Sequence, residues 1–276
     1  MAEDRPGGCR LPIQKAEEND QFSPAPLLPV KVSNNDMLII DEQKGKVKMG
    51  IPVLVIGESG SGKSSSLRNF KPNEIGIYNV AGKPLPFRGK FPMMMTVSDV
   101  DAIMDSLKRN AVNCYAIDDS QYLMAFKLIE KVNERGYDKF TEIAKDFKTL
   151  IDTVIKDTSP DTVVYFLHHT EKSDDGHYKA KTSGKMIDNW LTLEGLFSIV
   201  IMAVTSESKH QFVTQNDGTS TCKSPMGMLE NPMDNDLKIV DSAIREYYEL
   251  AKLGEKSEKK KSEAKVEIAK TLPKEG

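Results

Sequence analysis

The chain has 276 residues, of which 39% are hydrophobic and 29% charged. This composition supports a buried core, and no apolar run approaches the about 20 residues that a membrane helix needs. The first residues lack the apolar segment of a secretory signal, and the scattered cysteines Cys9, Cys114 and Cys222 favour a reducing, cytoplasmic location. A net charge of -3 argues against nucleic-acid binding through overall positive charge, so such binding would need local basic patches.

Both ends of the chain are predicted to be tails. Residues 1–35 show little periodicity, and prolines at positions 24, 26 and 29 oppose both helix and central strand, so a disordered segment is expected. Residues 254–276 are rich in lysine and glutamate. The lysine run 259–261 is typical of a solvated end or, alternatively, of a DNA contact. One domain is therefore predicted over residues 36–253.

Between the tails, short apolar runs alternate with helical spacings. Strands are predicted at 52–56, 75–80, 115–117, 162–167 and 197–204. Helices are predicted at 65–70, over 97–107, from about residue 120, over 140–154 and at 237–253. This alternation predicts an α/β fold, with a mainly parallel sheet covered by helices. Ligands of such sheets bind beyond the carboxyl ends of the strands.

The carboxyl-terminal part is predicted to add a hairpin and a closing helix. Asn216, Asp217 and Gly218 form a turn signal, which predicts a hairpin between 210–215 and 219–223. The apolar residues expected on the buried side of the closing helix are Ile239, Ile244, Tyr247, Tyr248 and Leu250.

Residues 57–64 (GESGSGKS) match the phosphate-binding pattern GxxxxGK[ST] directly after an apolar strand. Glycines allow such a loop to point successive backbone N–H groups at phosphate oxygens, and the helix expected to follow adds its positive end. Lys63 is predicted to reach the β- and γ-phosphates of ATP, and the Ser64 hydroxyl to ligate Mg²⁺. The predicted nucleotide-binding residues are Gly57, Glu58, Ser59, Gly60, Ser61, Gly62, Lys63, Ser64 and Ser65.

Two aspartates, Asp118 and Asp119, end the third predicted strand. A carboxylate at this point is expected to hold Mg²⁺, and the second could activate the attacking water as a general base. The sequence does not decide which aspartate has which role. The alternative is that one of them caps the helix that begins near Ser120.

The fourth predicted strand ends in His168, His169, Thr170 and Glu171. Neighbouring strand residues point to opposite faces, so one histidine alone can face a nucleotide. His169 or Thr170 is a candidate for sensing the γ-phosphate and His169 a candidate catalytic residue, the alternative being a structural histidine. A zinc site is disfavoured, because the chain has four histidines and no matching cysteine set.

Two basic segments follow the second and fourth strands. Residues 172–185 are expected to form a mobile loop, and residues 82–90 a second basic loop stiffened by prolines. Lysines interleaved with an aromatic residue suit single-stranded DNA, although a solvated loop explains the pattern equally well. The candidate DNA-binding residues are Arg88, Lys90, Tyr178, Lys179, Lys181 and Lys185.

The chain resembles the phage-encoded RecA-like P-loop ATPases, which include single-strand annealing and recombination proteins. The resemblance covers about residues 48–250 and is carried by 52–70, 79–91, 116–124, 135–143 and 163–188. It implies a RecA-like core, ATP hydrolysis with Mg²⁺, homo-oligomers with nucleotide at subunit interfaces, and a bacterial host cytoplasm. It also implies single-stranded DNA as partner, together with a phage single-strand binding protein. In this class a lysine from the neighbouring subunit can complete the site, which makes Lys185 a candidate to act in trans.

One position departs from the family pattern. RecA-like enzymes usually carry a glutamate at the end of the second strand to activate water, but residues 80–83 read Val-Ala-Gly-Lys. Either Glu58 or an aspartate of the 118–119 pair replaces it, or hydrolysis is slow.

Two other functions compete with a DNA-dependent ATPase. An AAA-type helicase loader or remodelling ATPase would act on a protein partner, but it usually has a helical lid with finger arginines, and Arg245 is the single arginine after the fifth strand. A small-molecule kinase needs an arginine-rich lid, and residues 172–185 contain none.

Overall fold

The computed structural model describes residues 49–174, 176–183 and 192–255. The predicted tail 1–35 lies outside the described residues, as do Lys185 and the second tail beyond Glu255. No helix in the described ranges combines the length and the apolar character that crossing a membrane requires.

The described residues contain nine strands, four α-helices and two short 3₁₀ turns. The strands are β1 (Ile51–Gly57), β2 (Gly76–Asn79), β3 (Met94–Thr96), β4 (Cys114–Asp118), β5 (Val163–Lys172), β6 (Tyr178–Ala180), β7 (Ile199–Ser206), β8 (Lys209–Val213) and β9 (Met233–Asp234). The helices are α1 (Val100–Lys108), α2 (Gln121–Glu130), α3 (Asp138–Asp157) and α4 (Leu237–Tyr247), and the 3₁₀ turns are Ser64–Leu67 and Leu193–Leu196. All five predicted strands are present.

The strands form one mixed, mostly parallel sheet in the order β3-β2-β4-β5-β1-β7-β8-β9, with β6 paired to β5 outside this path. β5 lies between β1 and β4 and runs parallel to both. Its register places His169 beside Gly57, the last residue of β1. The carboxyl ends of these three strands therefore meet at one edge of the sheet. The predicted α/β class with a mainly parallel sheet is confirmed.

Alternating strand residues pack into two apolar layers, one on each face of the sheet. Leu54 and Ile56 of β1 pack in a cluster with α1, α2 and α3, which includes Phe147. Val53 and Val55 pack on the other face with α4 and the turn Ser64–Leu67. Each face of β1 is thus covered, and all seven of its residues are buried. This explains why the strand reads as a nearly continuous apolar run.

The helix predicted after the glycine-rich segment is shorter than expected. It is a single 3₁₀ turn, Ser64–Leu67, whose last residues Ser66 and Leu67 are buried. Three consecutive serines have modest helix propensity, and they also hydrogen-bond to nearby backbone groups, as Ser66 does with the Lys63 carbonyl. A turn of four residues has little helix dipole, so the prediction that a helix dipole strengthens the phosphate-binding segment is wrong.

The closing helix α4 ends at Tyr247, and its buried face differs from the prediction. Ile244 is buried as predicted, but Ile239 and Tyr247 are 48% and 47% exposed. Leu237 and Val240 are buried instead, together with the charged residues Asp241 and Arg245. The predicted buried side did not include either charged residue, because sequence periodicity does not reveal that the two pair with each other inside the core.

The predicted hairpin around residues 216–218 is also wrong. The hairpin joins β7 to β8, and its turn lies at Glu207 and Ser208, which have positive φ of 49° and 65°. Asn216 and Asp217 instead form local turns by accepting hydrogen bonds from the N–H groups of Gly218 and Thr219. Asx turns of this kind explain the turn-forming residues in the sequence, although the segments on either side do not pair with each other.

Candidate functional site

Residues 57–64, which begin at the last residue of β1, form the glycine loop. Gly60 and Gly62 have φ of 81° and 97°, a region that favours glycine. A side chain at Gly62 would also meet His210 and Asn235, at 3.0 and 3.2 Å from its Cβ. Over the described residues, the N–H groups of Gly60, Gly62 and Lys63 donate to no backbone carbonyl. The loop therefore leaves several backbone donors available, as an anion-binding loop requires.

Lys63 is folded into the glycine loop and is 6% exposed. Its Nζ donates hydrogen bonds to the carbonyls of Gly57 and Glu58, both at 2.8 Å. Burial lowers the pKa of Lys63 to about 8, against the attraction of Asp119 and Asp118. At neutral pH the ammonium group is still charged. The two backbone carbonyls hold it in place, and a ligand could replace them as its acceptors.

The glycine loop and β4 are joined by one side-chain hydrogen bond. Ser64 Oγ donates to Asp118 Oδ1 at 2.7 Å, across 54 positions of sequence. Asp118 is the last residue of β4 and is buried. Burial raises the pKa of Asp118, although the Ser64 hydrogen bond partly opposes the shift. A hydroxyl and a carboxylate are thus brought together at the edge of the sheet.

Asp119 leaves the strand with a positive φ of 59° and contacts two basic groups. Its carboxylate oxygens lie 3.0 Å from Lys83 Nζ and 3.2 Å from His169 Nε2. Burial alone would raise the pKa of Asp119, but the neighbouring His169 and Lys83 outweigh it and lower the pKa to about 2. The alternative that an aspartate caps a helix is wrong, because Ser120 is the N-cap residue of α2 and no side-chain capping hydrogen bond is formed there.

The two neighbouring histidines of β5 have different environments. His168 is fully buried, its Nε2 donates to the Lys181 carbonyl at 2.8 Å, and its Nδ1 lies 2.9 Å from Ser120 Oγ. Burial lowers the pKa of His168 to about 4, so this ring is a neutral structural group at pH 7. His169 faces the opposite way and meets Asp119, with its ring edge against Tyr122.

Two cavities lie on either side of Ser59 and Gly60. The first has a volume of about 240 Å³ and brings together most of the predicted site residues. It is lined by Ser59, Gly60, Gly62, Lys63, Ser64, Ser65, Lys83, Pro84, Pro86, Asp118, Asp119 and His169. The second cavity, of about 420 Å³, is lined by Glu58, Thr170, Tyr178 and the end of β7 among others. Glu58 lines the second cavity, whereas both aspartates line the first.

Several polar atoms around these cavities are buried without a hydrogen-bond partner in the described part of the chain. They include Ser61 Oγ, Thr170 Oγ1 and both amide atoms of Asn235. Asn235 is 2% exposed and lies against Gly62. An unpaired buried polar group is unfavourable, and its presence is typical of a site that is completed by a ligand or by water.

The candidate DNA-binding residues divide into two groups. Arg88 and Lys90 are exposed in the segment between β2 and β3. In the described part of the predicted loop 172–185, the chain forms a hairpin, in which Tyr178–Ala180 pairs with residues 170–172 of β5. Lys179 pairs with Glu171 at 3.0 Å, and Lys181 is exposed, while Lys185 lies outside the described residues.

Tyr178 is already engaged in the hairpin. Its ring is half-buried, lies 5.4 Å from Lys172 Nζ and lines the larger cavity. A nucleobase that stacked on the ring face contacted by Lys172 would have to displace that lysine.

Sequence reasoning placed Lys83 in a basic loop at the ligand edge of the sheet without assigning it to the nucleotide site, and it missed Asn235. Lys83 follows the end of β2, which was a usable signal, because that end lies at the same sheet edge as β4. Asn235 follows β9, and no local pattern connects it to the glycine loop. No cluster of three or more potential metal-binding side chains of His, Cys, Asp or Glu occurs where the chain is described.

Comparison with known proteins adds no family to this picture. The chain matches no protein-family model, and no curated protein sequence matches it. What the site does must therefore be argued from its own residues and their geometry.

Proposed function

We propose that the glycine loop is a P-loop that binds ATP with Mg²⁺, in a RecA-like ATPase. The single observation that carries this proposal is the 2.7 Å hydrogen bond from Ser64 to Asp118, beside the buried amine of Lys63. Mg²⁺ in such sites is held by a loop hydroxyl and a strand-end carboxylate, and the lysine holds the phosphates. The position of β5 between β1 and β4 agrees with a RecA-like core.

The residues fit this ligand in their chemistry. The N–H groups of Gly60, Gly62 and Lys63, which have no backbone acceptor within the described ranges, would bind phosphate oxygens. Lys63 would exchange its two carbonyl partners for the β- and γ-phosphates. Ser64 and Asp118 would hold Mg²⁺, which neutralises phosphate charge when bound. Ser61 and Thr170 hydroxyls, which have no partner within the described residues, are available to a ligand.

Water activation is the weak part of the site, so we propose that hydrolysis is slow. A general base acts best when its pKa lies near the working pH, whereas the pKa of Asp119 is lowered to about 2. Glu58 lines the other cavity. Asp119 is therefore better suited to positioning Lys83 and His169 than to accepting a proton from water. We propose that His169, in turn, contacts the γ-phosphate.

The two aspartates should respond differently to the same substitution. Asp118→Asn is expected to raise the Mg²⁺ concentration needed for ATP binding by about tenfold or more, because it weakens a metal-holding carboxylate. Asp119→Asn, the matched control one residue away, should change this requirement by less than about threefold. Titrating Mg²⁺ against fluorescent ATP binding measures both. Equal requirements in the two variants would remove Asp118 from the proposed metal site.

We further propose that this ATPase acts on single-stranded DNA as a homo-oligomer, in phage recombination or replication alongside a single-strand binding protein. The support is the resemblance, the exposed cations Arg88 and Lys90, and the hairpin of β5 and β6, which continues directly from His169. The AAA-type alternative would use an arginine after the fifth predicted strand as its finger, and Arg245 is not placed for that role. Arg245 is 5% exposed, is paired to Asp241 and bonds to the Asn113 carbonyl, just before the amino end of β4, away from the strand ends that form the site.

A titration with single-stranded DNA tests this part of the proposal. ATP turnover is expected to rise with DNA at low salt, and DNA affinity to fall as salt increases, because binding to DNA phosphates releases counterions. The double variant Arg88→Ala and Lys90→Ala should make the plot of log DNA affinity against log salt concentration less steep. The slope should fall by about one for each DNA phosphate that the variant no longer binds. Absence of both stimulation and DNA retention at low salt would reject a DNA partner and favour a protein partner.

A further inference from the structure

The backbone of Lys83 is fixed against the end of β2. Asn79, the last residue of that strand, is 4% exposed, and its Nδ2 donates to the Lys83 carbonyl at 2.6 Å. Gly82 supplies the tight turn between them with a φ of 66°. This turn directs the chain back over the carboxyl edge of the sheet, where the smaller cavity lies.

The side chain of Lys83 is held in the cavity by two contacts from the β4–α2 segment. Its Nζ lies 3.0 Å from Asp119 Oδ2 and 5.1 Å from the centre of the Tyr122 ring. The side chain is nevertheless 61% exposed. Contacts of this kind orient an ammonium group, but an exposed ion pair is weak enough for a polyanion to displace.

Lys63 and Lys83 line the same cavity from different segments, one from the glycine loop and one from the turn after β2. Each ammonium group has protein acceptors: two carbonyls for Lys63 and one carboxylate for Lys83. The pair is close enough for Lys83 to repel the charge on Lys63, although Asp118 and Asp119 attract it. Two cations around a cavity of about 240 Å³ suit a ligand with several negative charges at one end.

We propose that Lys83 binds the terminal phosphate of a nucleoside triphosphate and so distinguishes a triphosphate from a diphosphate. The proposal rests on the nucleotide site proposed above and identifies which end of that ligand Lys83 recognises. Lys83 leaves Asp119 for the phosphate, while the turn at Gly82 and the hydrogen bond from Asn79 keep its backbone in place.

The test compares ATP and ADP binding in Lys83→Met, which removes the charge and keeps an unbranched side chain. With Mg²⁺ and fluorescent analogues of both nucleotides, ATP affinity should fall about tenfold to a hundredfold, as expected for removal of a charged hydrogen bond. ADP affinity should change by less than about twofold, because ADP lacks the recognised phosphate. Lys83→Arg keeps the charge and should retain the preference for ATP.

The matched control is Lys145→Met, which removes an exposed lysine from α3. It should leave both affinities unchanged, and thermal unfolding should give the same midpoint for all variants because Lys83 is largely exposed. Equal losses of ATP and ADP binding, or no loss of either, would overturn the role of Lys83. Failure of the unmodified protein to bind either nucleotide would overturn the nucleotide site itself, which is a different result.

Discussion

Lys63→Ala should reduce ATP affinity by about a hundredfold and abolish measurable turnover. The substitution removes the one ammonium group buried within the glycine loop, and charged hydrogen bonds of this kind contribute about 1.5–3 kcal/mol each. Equilibrium binding of a fluorescent ATP analogue and a phosphate-release assay measure the two effects.

The fold should survive this change. Lys63 is buried, but its partners are the two backbone carbonyls of Gly57 and Glu58, and its burial already disfavours the charged form. The far-ultraviolet circular dichroism spectrum should therefore match that of the unmodified protein, and Lys145→Ala serves as a control for simple loss of a lysine. Turnover at the normal rate in a correctly folded Lys63→Ala variant would refute the ATPase proposal.

The largest loss of stability is expected for Arg245→Ala. Arg245 Nε donates to Asp241 Oδ2 at 2.6 Å, and its two terminal nitrogens donate to three backbone carbonyls, at Asp161, Ala251 and Asn113. The Asp241 side chain is 1% exposed, and Tyr165 also donates to it. Removing Arg245 leaves the buried Asp241 without its ion-pair partner, so the free energy of unfolding should fall by about 3–5 kcal/mol. Urea denaturation measures it.

A surface pair of the same spacing provides the matched control. Lys148 and Asp152 are four residues apart on α3, and their side chains are 50% and 34% exposed. Lys148→Ala should therefore change the free energy of unfolding by about 0.5 kcal/mol at most. The double variant Asp241→Ala and Arg245→Ala should lose less than the sum of its single variants, because each single change strands the other charge. Equal small losses for Arg245→Ala and Lys148→Ala would contradict a stabilising role for Arg245.

Apolar periodicity predicted the strands and the long helix because burial determines both. The run at 52–56 became β1, buried on both faces, and Ile143, Phe147 and Leu150 became the buried side of α3. Periodicity failed at α4, where Asp241 and Arg245 occupy buried positions that the pattern assigns to apolar residues. The charges can be buried only because they meet each other and the Tyr165 hydroxyl, and such long-range partners leave no local pattern.

The site was predictable to the extent that strand ends define it. Ser64 comes after β1, Asp118 ends β4, and His169 lies in β5 beside the last residue of β1, so one parallel sheet was enough to predict that they would meet. The partners of Asp119 were not predictable, since they depend on how the turn after β2 folds back and on which way each histidine points. Asn235 reaches the glycine loop from a distant strand through tertiary packing alone.

The alternation of His168 and His169 along β5 restricts how this strand can change. A slip of one residue relative to β1 and β4 would turn every β5 side chain to the other face. His168, which bonds to Ser120 and the Lys181 carbonyl, would then point into the cavity, and His169, which lies beside Asp119, would enter the core. A single-residue insertion or deletion within β5 would damage folding and the cavity together. Length variation in this strand is tolerable only beyond Thr170, where it pairs with β6 alone.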